Sequence, residues 1–483
     1  MNRCKPAPYK PLLALILLSL GGCMTGPDFF RPQTALPDEF TASVPTTQAQ
    51  APLQKEWWLL FQDAQLNELI AKAQAHNHDL LAAIARVEEA EGLAREANAL
   101  FYPSLDLSAG AGRNKLAEPN NPRLRDSRRA SLNTAFEIDL WGRLRRANEA
   151  ARAEILASRY ARDTLELSVA SLTTNGYLAL RAADANMALT ADTLKSRQSA
   201  LNIARSRMDA GKASPLDFHQ AEGAVAAAQS QLSSLRRQRA LAENQLALLT
   251  GQPGFSLPAG DLRQLPMPPV PPAGLPSALL EARPDIRQAE ELLVSANARI
   301  GVAKAALFPT VSLTGSLGSE SAEFSKLFSA GSQTWNIGLG LIFSVFDAGR
   351  REAQIDQASA RQKQVLANYQ KTVENAFKEV NDALVSLHEG AEGEKAETLR
   401  VEAAKKTLAL AEIRYQSGYS PFIEVLDAQR NSNDAQLAYI SQRQSRLGAA
   451  VSLFKALGGG WKDDFKADSL KNTGADKPVQ EEG

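Results

Sequence analysis

Apolar residues recur along this chain with two different periods, and the two periods occupy separate blocks. Leu180, Met187, Leu194, Leu201 and Met208 return every seven residues, and Leu387, Val401, Leu408 and Tyr415 repeat that spacing further on. A seven-residue repeat keeps one seam of a helix against a partner helix, so coiled-coil contact is predicted. Glu394 breaks the second run, and the flanking positions are mostly Ala, Ser, Gln and Arg. The seam is therefore narrow and the opposite helix face meets water. No proline falls from Arg143 to Ser214 or from Thr310 to Ser420, and helical composition covers Arg143 to Asp209 and Arg350 to Gln416. Each segment, about 67 residues, would reach roughly 100 Å as one helix. Gly176, Gly390 and Gly393 are the positions where these helices are expected to bend.

The second period is two. Leu132, Thr134, Phe136, Ile138 and Leu140 alternate with Ser131, Asn133, Glu137 and Asp139, and Trp335, Ile337, Leu339, Leu341 and Phe343 alternate with Asn336, Gly338, Gly340 and Ser344. Leu105, Leu107, Ala109 and Val311, Leu313, Leu317 supply weaker partners. Strands are predicted over about 103–113, 129–141, 309–318 and 334–345. Their length suits a tilted bilayer crossing, although a soluble sandwich with one wet face alternates in the same way. Four strands cannot close by themselves, and an open edge in hydrocarbon leaves backbone groups unpaired. A bilayer location therefore demands several chains sharing one barrel.

The blocks occur twice. Asp79-Leu80 through Phe101-Tyr102-Pro103-Ser104-Leu105 aligns without gaps on Asp285-Ile286 through Leu307-Phe308-Pro309-Thr310-Val311, an offset of 285 minus 79, or 206. Arg207 to Gly211 then aligns on Arg414 to Gly418, and Leu246 to Gly251 on Leu453 to Gly458. The first repeat is expected over 57–251 and the second over 285–460, with the Pro-rich linker 252–284 between them extended rather than helical. Residues 23–56 read as an extended strap and residues 461–483 as a polar, poorly ordered tail.

The amino terminus changes the cellular setting. Arg3, Lys5 and Lys10 precede the apolar run Leu12 to Leu20, then Gly21, Gly22 and Cys23, which is a lipoprotein signal over 1–22. Its apolar core, about ten residues, is half of what a spanning helix needs, so it directs export and is removed. Cys23 would then carry the covalent lipid, N-acyl and S-diacylglycerol, and no other cofactor and no metal is expected. Met24 in place of Asp favours transport to the outer membrane. Cys4 would leave with the signal and Cys23 would be acylated, which would exclude disulfides, thiolate metal sites and cysteine catalysis in the mature chain.

Charge adds little, because 54 basic and 54 acidic residues become 51 and 54 once Arg3, Lys5 and Lys10 are lost, so nucleic-acid binding is not indicated. His76, His78, His219 and His388 all lie on helical segments, with no Ser-His-carboxylate set beside them. His76 and His78, two apart, do not share a helix face as a metal pair would. No enzyme is expected.

Several short segments together resemble the outer membrane factor (TolC-like) family, in its lipoprotein branch serving resistance-nodulation-division (RND) multidrug pumps. They are Trp57-Trp58 with Phe61, Asp63 and Leu66; Phe136 to Arg143; Arg283 to Ile286; Ala305 to Pro309; Phe346 to Arg350; Leu426 to Arg430; and Ala456 to Gly460. The resemblance implies a mainly α fold with a transmembrane β-barrel: a duplicated helix-strand-strand-helix unit, three copies giving a twelve-stranded outer-membrane barrel that continues into a periplasmic α-helical barrel. It implies a passive exit duct for drugs or other small toxic compounds, working with a periplasmic adaptor protein and an inner-membrane RND pump. The helix-to-helix turns resemble the family's adaptor-contact tips at Arg207, Gly211, Arg414 and Gly418; simple helix capping is the alternative. Ile423, Asp427 and Arg430 resemble its periplasmic gate, against the alternative of a plain surface ion pair. A lipid-anchored periplasmic adaptor or coiled-coil scaffold, or a duct for metal ions or proteins, stays open at this stage; the five Met argue weakly against a copper-dedicated duct.

Overall fold

The computed structural model describes residues 24–33, 37, 40, 53–116, 123–212, 214–271 and 276–463. The signal segment, Cys23, most of the strap and the tail after Asp463 lie outside the described residues. In chain order the main elements are α1 (Ala64–His76), α2 (His78–Ala99), β1 (Ser104–Leu116), β2 (Arg123–Ile138), α3 (Arg143–Asp209), α4 (Pro215–Leu249), α5 (Pro284–Ala305), β3 (Thr310–Ser321), β4 (Gln333–Ile342), α6 (Arg350–Gln416) and α7 (Phe422–Ala456). The duplication is plain in the lengths: α3 and α6 have 67 residues each, α4 and α7 have 35, and α2 and α5 have 22. Among the described residues no helix is long and apolar enough to cross a membrane.

The two copies do not form one compact unit each. One unit takes residues 1–33, 85–159 and 288–370, and the other takes 34–84, 160–287 and 371–483. Each unit therefore draws on both copies, because equivalent elements pack side by side instead of folding back within their own repeat. Sequence pattern located the copies along the chain; it carried no signal for this lateral pairing.

The first unit holds the sheet, with strand order β1-β2-β3-β4, every neighbour antiparallel. The central β2–β3 pairing joins the copies, and β1 and β4 are left as edges. Strand β2 begins at Arg123, six residues before the start expected from apolar alternation. Backbone pairing with β1 continues past the alternating apolar residues, through Arg113 opposite Asp126, so the ladder outruns the hydrophobic alternation. The start of the strap docks on this unit. Thr25 donates through its backbone N–H and its hydroxyl to the Trp141 carbonyl, at 3.1 and 2.9 Å, and Arg31 pairs with Glu290 at 2.5 Å. Gly26 has φ +98, and a Cβ there would stand 2.5 Å from Gly301 Cα, so only glycine allows this approach.

In the second unit Trp57 stacks on Phe454 with centroids 5.3 Å apart, beside fully buried Phe61, Leu66 and Ile70. Asp63 caps α1 by accepting from the Gln65 and Leu66 amides, and its other oxygen accepts the Tyr177 hydroxyl at 2.6 Å. Burial, then the bond to Asp63, pushes the Tyr177 phenol far above its ordinary value. The Pro-rich linker is extended over most of its described length, with single helical turns at Leu262–Gln264 and Leu279–Ala282. Arginines of the long helices hold it by its carbonyls: Arg239 to Leu257, Arg181 to Pro258 and Arg443 to Leu265, all within 2.6–2.7 Å. The first residues of the expected tail, through Asp463, pack against α3. Trp461 meets Tyr160 edge-on at 5.6 Å and donates to Asp163, while Asp463 accepts from the Tyr160 hydroxyl.

Helical pairing runs unbroken through Gly176, Gly390 and Gly393. Their role is close approach: a Cβ at Gly393 would lie 2.5 Å from Gln442 Nε2, one at Gly176 would lie 3.1 Å from Leu246 Cδ2, and one at Gly390 would lie 3.4 Å from Arg446 Cβ. Glu394, read from sequence as a break in the seam, is instead an anchor. Its carboxylate receives Arg443 at 2.5 Å and Arg446 at 2.7 Å.

Candidate functional site

Residues facing each other across an antiparallel ladder project to the same side, so the register sorts the sheet into two faces. On one face, rows run Leu107–Leu132–Leu317–Trp335, Phe136–Leu313–Leu339 and Ile138–Val311–Leu341. The alternate rows run Ser108–Ser131–Gly318–Thr334, Asp106–Asn133–Ser316–Asn336 and Glu137–Ser312–Gly340. The polar rows are cross-linked: Asn133 Nδ2 donates to Ser108 Oγ at 2.8 Å, and the Ser108 and Ser131 hydroxyls lie 2.9 Å apart. The apolar rows are bare in the chain, with Leu107 75%, Trp335 77% and Ile337 74% exposed. A soluble sandwich would bury this face against a second sheet, and among the described residues there is none. Phe343 and Phe346 stand exposed near the helical end of the strands, and Phe324 and Phe328 in the β3–β4 connection at the other.

The helical hairpins of the second unit end in matched turns. Gly211 at φ +68 and Gly418 at φ +80 take the left-handed conformation after α3 and α6. The next amides reach back to the last helical turn, Lys212 to the Arg207 carbonyl and Tyr419 to the Arg414 carbonyl, each at 2.8 Å. Ser214 accepts from the Leu216 amide to cap α4, with Pro215 in its first turn; Pro421 leads into α7. Directly above the turns, Ala204, Ala221, Ala411, Phe422, Val425 and Ala428 form a buried cluster drawn from both copies, with Leu201, Leu408 and Tyr415 of the seven-residue seam against it. Small residues let four helices meet closely here.

Both tip arginines are engaged within the chain. The Arg207 guanidinium lies 4.8 Å from the Tyr415 ring centroid, and Arg414 Nε is 3.1 Å from Glu424 Oε1. Ile423, Asp427 and Arg430 fall on one face at the start of α7, where Asp427 and Arg430 pair at 3.0 Å and all three are exposed. Sequence reasoning missed Tyr415 and Glu424 as tip residues. Tyr415 was visible as the last residue of the seam, but its contact with Arg207 spans the two copies and has no local signature. A further half-buried cation, Arg197, donates to the Ala224 carbonyl at 3.0 Å, and its partial burial lowers its pKa despite Asp434 nearby.

The family pattern described as outer membrane efflux protein matches residues 69–252 and 275–459, one match for each copy. The chain belongs to the outer membrane efflux protein family. It is 34% identical over 470 residues to the antibiotic efflux pump outer membrane protein ArpC of Pseudomonas putida, covering 94% of this chain and 96% of that protein. It is 32% identical to the cation efflux system protein CusC of Escherichia coli, covering 96% and 100%. Among solved structures, the Campylobacter jejuni CmeC outer membrane channel superposes with a TM-score of 0.85 at 26% identity, covering 95% of this chain and all of that one. The protein is thus an outer-membrane exit channel of an efflux system, with the duplicated, mainly helical fold of that family. A soluble adaptor or scaffold is set aside by the same match.

Proposed function

We propose that three copies of this chain join edge to edge, β4 of one beside β1 of the next, closing a twelve-stranded barrel across the outer membrane. The observation that carries this reading is the division of the sheet, over its middle rows, into an apolar and a polar face, with two unpaired edges. In hydrocarbon each unpaired edge group costs several kcal/mol, of order 4–8 on an apolar scale, and closure removes every edge. Two copies would give eight strands, whose interior side chains roughly fill; twelve leave room for a solute path. The polar rows then line the duct and the apolar rows face lipid.

Small toxic compounds delivered by an inner-membrane RND pump and its periplasmic adaptor pass through without chemistry, as neither ArpC nor CusC is named for a reaction. The turns at Arg207 to Gly211 and Arg414 to Gly418 are the adaptor-contact tips. Ile423, Asp427 and Arg430 form the periplasmic gate, where the threefold axis brings three Asp427 carboxylates together and Arg430 offsets their repulsion. Cys23 carries the lipid, but the strands hold the chain in the membrane by themselves, so Cys23→Ser leaves the protein in the membrane fraction, whereas a chain held by lipid alone would be released.

Paired cysteines test the face assignment. In reconstituted vesicles Asn336→Cys should react with a water-soluble thiol reagent, and its neighbour Ile337→Cys only with a membrane-soluble one. Equal reactivity of the two toward the water-soluble reagent would refute the barrel.

A further inference from the structure

The apolar face ends in a cluster of cations. Following its rows away from the helices, Ala109–Ala130 is succeeded by Ala111–Arg128, Arg113–Asp126 and Lys115–Leu124. Arg113 is neutralised by Asp126, through bonds of 2.5 and 2.9 Å. Arg128 donates to the Ala322 carbonyl, and among the described residues neither Arg128 nor Lys115 has a carboxylate within ion-pair distance. Arg125 and Arg129 project to the opposite, polar face, where both meet Glu320. Three cations, Arg113, Lys115 and Arg128, therefore stand against one carboxylate, Asp126, whose charge Arg128 also feels, and among the described residues two positive charges remain in excess on the side that also carries Leu107, Leu132 and Trp335.

Their height is set by the strand. From Ile138 to Arg128 the ladder takes ten steps, about 33 Å along the strand at roughly 3.3 Å each, which is about 25 Å of membrane depth at a tilt near 40°. That equals the height of the lipid-facing band of such barrels, so Arg128 sits at headgroup level, and Lys115, opposite Leu124 and four steps further along the ladder, stands about 10 Å further out. All four strand ends on the far side of the band run into helices of the same unit, which places the cationic ends at the cell surface. The outer leaflet there presents phosphorylated glycolipid.

We infer that Lys115 and Arg128 form a lipid-facing site for the phosphate groups of outer-leaflet glycolipid, with Phe324 and Phe328 flanking it as exposed apolar contacts. The inference rests on the barrel reading above. Charge complementarity selects this occupant: an acyl chain has no use for two cations, and a barrel neighbour would meet the backbone edge, not the outer face. A guanidinium offers forked donors to one phosphate, and the lysine, two rows further out beyond Arg113–Asp126, is a mobile point charge for a second.

The test uses the detergent-purified full chain and fluorescent bis-phosphorylated lipid A, with the dephosphorylated form as comparison. Lys115→Gln with Arg128→Gln should weaken binding of the phosphorylated lipid about twenty-five-fold at low salt, from a contribution of about five-fold per cation near an anionic surface. Arg125→Gln with Arg129→Gln removes the same charge from the other face and should change binding less than two-fold. Lys115→Gln alone, expected to weaken binding about five-fold, covers the case in which the double variant does not assemble. Unchanged binding in the first pair, equal loss in the second, or equal affinity for dephosphorylated lipid overturns the site. Resistance of the wild-type chain to carbonate extraction from membranes separates the causes: if it resists, the lipid site alone has failed, and if it is released, the barrel and the site fail together.

Discussion

The guanidinium of Arg207, in the first copy, lies over the ring of Tyr415, in the second, at 4.8 Å from its centroid. The same ring approaches Phe422 at 5.3 Å, so one tyrosine ties together both hairpins at their tips. A partly exposed cation–π contact contributes about 0.5–1 kcal/mol, and the apolar contact adds to it. Tyr415→Ala should therefore speed hydrogen exchange of the Lys212 and Tyr419 amides, which close the two turns, by about five-fold or more. Tyr415→Phe keeps the ring and should leave both amides protected. Equal acceleration in both variants would mean that the ring does not couple the tips.

Asp427 and Arg430 pair across one helical turn at 3.0 Å, with both side chains more than half exposed in the single chain. An isolated surface pair of this kind contributes little to stability, on the order of 0–1 kcal/mol, so Asp427→Ala should leave the melting temperature nearly unchanged. Its effect belongs to conduction. Asp427→Ala should raise the single-channel conductance of the purified protein in planar bilayers, and an unaltered conductance would remove Asp427 from the gate.

Glu394 is only 7% exposed and holds two arginines. Burial alone would push its carboxyl up, but hydrogen bonds from Arg446 and Arg443 outweigh it and hold the group below its usual value. A carboxylate lowered on folding stabilises the protein fully above its unfolded pKa and loses that contribution as pH falls through the folded value. Glu394→Gln should lower stability by about 2 kcal/mol at pH 7, read from a thermal or denaturant melt, because two partly buried guanidinium groups lose their counter-charge. The gap between variant and wild type should narrow once pH drops below about 4. A pH-independent gap would show that the loss is one of shape and not of charge.

The sequence revealed what repeats or alternates, and concealed what depends on meeting a distant partner. Both 67-residue helices were legible from the absence of proline and from the glycine turns, since each signal lies within a few residues of the element it ends. Facing of the strands was legible from Leu132 to Ile138, but not their true start at Arg123, because a charged stretch such as Arg128-Arg129 reads as loop unless its pairing partner is known. Gly390 and Gly393 looked like weak points, yet each admits a side chain of α7, some fifty residues away in sequence. Glu394 looked like a defect in a seam for the same reason. Ile423, Asp427 and Arg430 were recognisable as one face of a helix, whereas the ties of Arg207 to Tyr415 and Arg414 to Glu424 required the folded chain.

The mass of the detergent-extracted particle tests the central claim most directly. Static light scattering with the detergent contribution subtracted should give a protein mass of three chains, stable to dilution, because a four-stranded sheet with two bare edges cannot persist in hydrocarbon alone. A monodisperse single chain that keeps its strands in the bilayer would contradict the account.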